Sequence, residues 1–91
     1  NKQERIEASQ LQKSLRAAKT FIENGERNPD KIISTIEDHI NTTTSGKIDY
    51  IEIYHYPSLE PIFELRGKVI IAIAVQFTKA RLIDNLIIEI A

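Results

Sequence analysis

Val69-Ile70-Ile71-Ala72-Ile73-Ala74-Val75-Gln76-Phe77 decides the fold, because its first seven residues form the longest apolar run in the chain. A helix crossing a bilayer needs about 20 apolar residues, so this run is a buried strand, not a membrane span. β-Branched residues dominate it, and a continuous apolar strand belongs in the middle of a sheet, covered on both faces. One face offers Val69, Ile71, Ile73 and Val75. The other offers Ile70, Ala72 and Ala74, small enough on average to let a helix approach closely.

The period changes on moving outward from this strand. Residues 47–56 are rich in Ile and Tyr and read as a second strand, with Ile51 and Ile53 on one face and Ile48, Tyr50 and Tyr54 on the other. Pro57 and Pro61 bracket a turn that cannot extend that strand, and Arg66-Gly67-Lys68 makes a further turn. A short link at Thr78-Lys79-Ala80 leads to a third strand over 82–90. Further upstream the pattern is helical. Ala8, Leu11, Leu15, Ala18 and Ile22 share one face of a helix over 4–24, whose opposite face carries Lys13, Arg16, Lys19 and Glu23; Gly25 suits its C-terminal cap. Asn28-Pro29-Asp30 starts a second helix, with Ile32, Ile33, Ile36 and Ile40 as its buried stripe. The Asn41-Thr42-Thr43-Thr44-Ser45-Gly46 segment ends it. Two N-terminal helices followed by three strands with short connections predict an α+β two-layer sandwich, the helices packed on a small three-stranded antiparallel sheet.

Composition narrows the function. The 91 residues make one domain, residues 1–91, with room for a single core and no deep catalytic cavity. Net charge is −1 and both signs are dispersed, so no basic stripe serves nucleic acid. Cysteine is absent, which removes disulfides and thiolate chemistry. The chain starts at Asn1 and contains no methionine, which leads us to expect that something upstream has been removed, with removal of the initiator alone as the competing explanation.

No catalytic constellation stands out. His39 and His55 lack a second ligand at metal spacing and read as surface or rim side chains. Asp49 and Glu52 lie three apart on a strand and are expected on opposite faces. Ser45-Gly46-Lys47 ends like half a phosphate loop, but the upstream glycine is missing and a strand follows. Asn41-Thr42-Thr43 fits a glycosylation acceptor, a pattern common by chance. Arg81, Asp84 and Asn85 are the polar residues to mark. Asp84 and Asn85 can order a turn, and Arg81 can pair with a nearby carboxylate or carbonyl.

Several segments together carry a resemblance. Lys47-Ile48-Asp49-Tyr50-Ile51-Glu52-Ile53, then Leu59-Glu60-Pro61, then Lys79-Ala80-Arg81-Leu82-Ile83-Asp84-Asn85, with Ser14-Leu15 and Gly25-Glu26 in the opening region, resemble in order the C-terminal domain of pantothenate synthetases (pantoate–β-alanine ligases). Ala80 departs from the family, where Thr is common. The resemblance implies a cytoplasmic ligase that uses ATP and Mg2+ to adenylate pantoate before β-alanine attacks. Its nucleotide and junction motifs belong to an N-terminal domain, and none is matched here. It therefore implies no catalytic residue, no cofactor-binding residue and no metal ligand in this chain, which alone should be inactive. The domain is expected to act as a lid on its own N-terminal nucleotide-binding domain, with Arg81, Asp84 and Asn85 as interdomain candidates. A self-standing interaction or oligomerisation module is the alternative. Since the third strand is a sheet edge with one charge in its last five residues, 86–90, homodimers are expected at high concentration.

Overall fold

The computed structural model describes residues 2–90, with side chains from 5 onward. Two helices, α1 (Lys2–Glu23) and α2 (Pro29–Thr43), precede three strands, β1 (Lys47–His55), β2 (Gly67–Gln76) and β3 (Arg81–Ile90). The sheet is an antiparallel meander in the order β1-β2-β3, so β2 is central and both neighbours are edges. The expected α+β sandwich is the observed one.

Each helix has a local reason for its limits. Behind α1, Gly25 takes φ +111, its N–H bonds Ile22 O at 3.0 Å and the Glu26 N–H bonds Phe21 O at 3.1 Å. This paired pattern closes the helix end, and glycine enters that conformation without a Cβ penalty. At the start of α2, the Asn28 side chain accepts the Asp30 N–H at 2.9 Å with Pro29 in the first turn. α2 ends inside the expected 41–46 segment, with Thr44 as its C-cap. Thr42 and Thr43 remain helical, their hydroxyls donating to the carbonyls of Asp38 (2.8 Å) and His39 (2.6 Å) one turn back. The hydroxyl meets a carbonyl already inside the helix, so threonine here decorates the last turn before Thr44 leaves it.

The helices cover one side of the sheet, α2 over β1 and α1 over β3. Leu11, Leu15, Ala18 and Ile22 of α1 and Ile32, Ile36 and Ile40 of α2 are buried against Val69, Ile71, Ile73 and Val75. One expectation fails here: the helices cover the central strand on its Val/Ile face, with Ile73 against them, and no helix lies on the alanine face. The larger side chains win because they fill the space between layers, and two helices supply one layer, not two.

A further correction concerns Ile48. The pairing shifts between Ile48 and Tyr50, leaving Asp49 as the extra residue of a bulge. Ile48 therefore pairs with Val75 and joins Ile51 and Ile53 on the helix side, while Tyr50 pairs with Ala74 on the other. Strict alternation would have sent Ile48 to solvent; the bulge absorbs one residue and keeps all three isoleucines with the core.

Gly46, just before β1, is a close-approach position. A Cβ there would lie 2.5 Å from Val75 Cγ1 and 2.9 Å from Phe77 Cε1. The preceding Ser45 donates its N–H (3.3 Å) and hydroxyl (3.0 and 3.1 Å) to the carboxylate of Glu7, a buried side chain of α1. The donors that resemble half a phosphate loop are thus satisfied by an internal carboxylate.

Candidate interdomain surface

The helices leave one face of the sheet uncovered, as antiparallel sheets commonly do. Pairing fixes its layout. Tyr54, Ile70 and Ile87 form one cross-strand row, Glu52, Ala72 and Asn85 the next, and Tyr50, Ala74 and Ile83 the third. Arg81 stands beside Gln76 at the end of the face. Ile83 is 60% exposed and Ile87 42%. Flanking half-buried tyrosines and an alanine floor make a shallow apolar strip with polar ends. Strips of this kind on a soluble domain mark surfaces that meet something.

Polar side chains on this face are held in place. Arg81 Nε donates to Asp49 Oδ2 at 2.7 Å, and the guanidinium lies 5.7 Å from the Tyr50 ring centroid. To do so it reaches across the central strand β2 to the β1 edge. The bulge re-aims Asp49 toward this face, the one that carries Glu52. The expected separation of Asp49 and Glu52 to opposite faces is therefore overturned. Tyr54 donates its hydroxyl to Glu52 two residues away. That hydrogen bond, with some burial and the nearby negative charge, raises the Tyr54 pKa above its ordinary value.

The three marked residues do not come together. Asp84 and Asn85 are mid-strand, opposite Ile73 and Ala72, and order no turn. The β2–β3 connection is closed instead by the Phe77 N–H on Ala80 O at 2.8 Å. Arg81 and Asn85 are exposed on the open face. Asp84 is half-buried on the helix side, where it shares a groove of about 290 Å³ with Arg16 and Lys19 of α1. Its Oδ1 accepts the Asn85 N–H at 2.8 Å. Sequence alternation alone could have separated Asp84 from its neighbours. The Arg81–Asp49 pair was less visible, since it spans 32 residues and needs the bulge.

The histidines have structural surroundings. His39 Nε2 lies 2.9 Å from Gln10 Oε1, tying α2 to α1, and His55 ends β1 opposite Val69. Among the described residues no group of three His, Cys, Asp or Glu side chains could hold a metal, and no helix is long and apolar enough to cross a membrane.

Residues 1–87 match the family described as Pantoate-beta-alanine ligase. The chain belongs to that family. It is 53% identical over 88 residues to the pantothenate synthetase of Geobacillus sp. (strain WCH70), covering 97% of this chain and 31% of that protein. Its identity to the Bacillus velezensis pantothenate synthetase is 56% over 88 residues, or 97% and 30% of the two lengths. The crystal structure of pantothenate synthetase from Thermus thermophilus superposes with a TM-score of 0.76 at 26% identity, over 85% of this chain and 28% of that one. The chain thus spans about 30% of the length of the pantothenate synthetases it matches.

Proposed function

We propose that this chain is the lid domain of a ligase that joins pantoate to β-alanine, consuming ATP through a pantoyl adenylate in the cytoplasm. The observation that supports the reading is the uncovered sheet face in a chain that matches about 30% of its relatives' length. An apolar strip rimmed by an anchored arginine suits a partner that docks and releases, as interdomain surfaces within one chain are modest and mixed in polarity.

The described residues do not fit ATP or Mg2+ by themselves. They offer no metal-holding group, and Ser45 and its N–H are engaged by Glu7. No chemical step is assigned to this chain. Its part is to exclude water and complete a site whose reacting groups lie on the N-terminal nucleotide-binding domain, with Arg81 and Asn85 on the face turned toward it. Asp84, on the other side of β3, serves the domain's own packing.

The test is reconstitution with the complementary N-terminal region of the Bacillus velezensis relative. The chain alone is expected to give no AMP from ATP, pantoate and β-alanine; the tethered pair is expected to turn over, and the untethered pair less well. Micromolar ATP affinity of the isolated chain by calorimetry overturns the reading. So does a start codon immediately upstream of Asn1 in its coding sequence, which favours a self-standing module.

A further inference from the structure

The turn that ends α1 carries a reactive pair. Asn24 and Gly25 are adjacent and exposed, just past the last helical residue, Glu23. An asparagine side chain can be attacked by the backbone nitrogen of the residue that follows it. Glycine, having no side chain, hinders that attack least. The other described asparagines lack this arrangement. Asn28 is followed by Pro29, whose ring nitrogen carries no proton to lose. Asn41 precedes the β-branched Thr42 inside α2, and Asn85 precedes Leu86 in the middle of β3.

The fold holds the nucleophile back. The Gly25 N–H donates to Ile22 O at 3.0 Å, the Asn24 N–H to Thr20 O at 2.9 Å and the Glu26 N–H to Phe21 O at 3.1 Å. Arg27 reinforces the same turn, its Nη1 donating to Ile22 O at 2.7 Å and to Glu26 O at 2.9 Å. The Gly25 nitrogen must shed its proton before it can attack, so this cap has to open first. Helix ends open at far lower cost than the whole domain, so the folded chain presents the nucleophile in a minor population. Beside the turn, a groove of about 420 Å³ between α1 and β3 is lined by Lys19, Ile22, Glu23, Arg27 and residues 87–90. Packing against β3 therefore opposes the opening only in part.

We propose that Asn24-Gly25 is a self-modifying site, a deamidation switch whose rate is set by the α1 cap. The Gly25 nitrogen, its proton taken by water or hydroxide, bonds to the side-chain carbonyl carbon of Asn24. The carbon–nitrogen bond of the side-chain amide breaks, and that nitrogen takes up a proton and leaves as ammonia. A five-membered succinimide remains. Water opens it at one carbonyl to give aspartate, or at the other to give isoaspartate; nothing is oxidised or reduced. The conversion undoes what the cap rests on. The succinimide has no Gly25 N–H, so the bond to Ile22 O is lost, and isoaspartate lengthens the backbone by one carbon. Either final product adds a negative charge beside Glu23 and Glu26 at the C-terminal end of α1, where the helix dipole disfavours an anion. The last turn of α1, which places Ile22 in the core, is thereby loosened from β3. The ligase reading does not enter this inference, and either can fail without the other.

The test ages the full chain at fixed temperature and mildly alkaline pH. Peptide mapping by mass spectrometry reads the conversion at each asparagine, and labelling by an isoaspartate methyltransferase reads the isoaspartate share. In the folded chain Asn24 is expected to convert faster than Asn41 or Asn85. Unfolding in urea is expected to accelerate Asn24 about tenfold more, the factor that the closed cap withholds. Arg27→Ala keeps the reactive pair and removes two hydrogen bonds from the turn, so the folded variant, checked by circular dichroism, is expected to convert about threefold faster than the parent. Hydrogen exchange at the Gly25 amide measures the open population in the parent itself, and the unfolded rate multiplied by that population should give the folded rate. The aged chain should lose exchange protection at Glu26 and melt lower than Asn24→Gln aged beside it. Conversion at Asn24 no faster than at Asn41, equal rates in the folded and unfolded chain, a folded Arg27→Ala that converts no faster, or an aged chain with Glu26 protection intact overturns the proposal.

Discussion

Ile73 and Ile70 are the same residue type on the same strand, three positions apart, and they live in different environments. Ile73 is fully buried between Ile51 and Asp84 under the helices; Ile70 is half-buried between Tyr54 and Ile87 on the open face. Strand alternation puts them on opposite sides, and a single helical layer decides which side becomes the core. Ile73→Ala should therefore destabilise by about 2–5 kcal/mol, as removal of a buried side chain leaves a cavity. Ile70→Ala should remove about 1 kcal/mol or less, because solvent fills the vacated space. Urea unfolding of the two variants measures the contrast. Equal losses would mean that the open face is covered in solution. A domain of this size has little stability in reserve, so Ile73→Ala should leave much of the chain unfolded.

The next largest effect tests the closed face from its rim. Gly46→Ala pushes a methyl group into Val75 and Phe77, and over-packing of this kind destabilises by about 1–3 kcal/mol. The control is Gly25→Ala, where the new Cβ meets nothing within 4 Å and any loss comes from the backbone at φ +111. Thermal melts distinguish the two causes. A compensating Val75→Ala should recover part of the loss at Gly46 and none at Gly25.

On the open face the expected signs part company. Ile83→Ser removes an exposed side chain and should change the stability of the chain by no more than about 0.5 kcal/mol. In the reconstituted ligase the same change should lower turnover, because it strips the surface proposed to meet the N-terminal domain. A loss of stability in the chain alone, with turnover intact, would place Ile83 in the domain's own packing and remove it from the docking surface.

How much of this could be read from the sequence follows from what each feature depends on. The helices were legible because their signals are local: the spacing of Leu11, Leu15, Ala18 and Ile22, the Asn28-Pro29 cap, and Gly25. The central strand was legible from its apolar run. Its second face was misread because the number of covering layers is a property of the whole chain, and Ala72 and Ala74 are equally consistent with a helix above or with nothing. The Asp49 bulge escaped detection because one inserted residue leaves the composition of β1 unchanged while reversing the faces of everything before it. Glu7 was missed for a related reason, since its partner Ser45 lies 38 residues away. Of the marked residues, Arg81 was expected to find a carboxylate and did; Asp84 and Asn85 suggested a turn because their type favours one, and ten regularly paired residues of β3 overrode that preference.

The smallest expected effect probes the open face without perturbing its packing. Tyr54 donates to the Glu52 carboxylate, and that hydrogen bond is the leading cause of its raised pKa, ahead of burial and the charge of Glu52. A tyrosine that holds its proton more tightly when folded contributes stability that is fully present below the ordinary tyrosine pKa. The contribution is lost as pH rises through the raised value. The chain has three tyrosines, so an ultraviolet titration should show a component that ionises late and disappears in Tyr54→Phe. Glu52→Gln removes the charge but keeps an acceptor, and should move that component back toward the ordinary range without abolishing it. Docking of a partner on this face excludes water from the pair and should delay ionisation further, since burial disfavours the tyrosinate. A titration of Tyr54 that does not move when the N-terminal region is added would mean that the pair stays open to solvent, and that the partner contacts β3 but not β1.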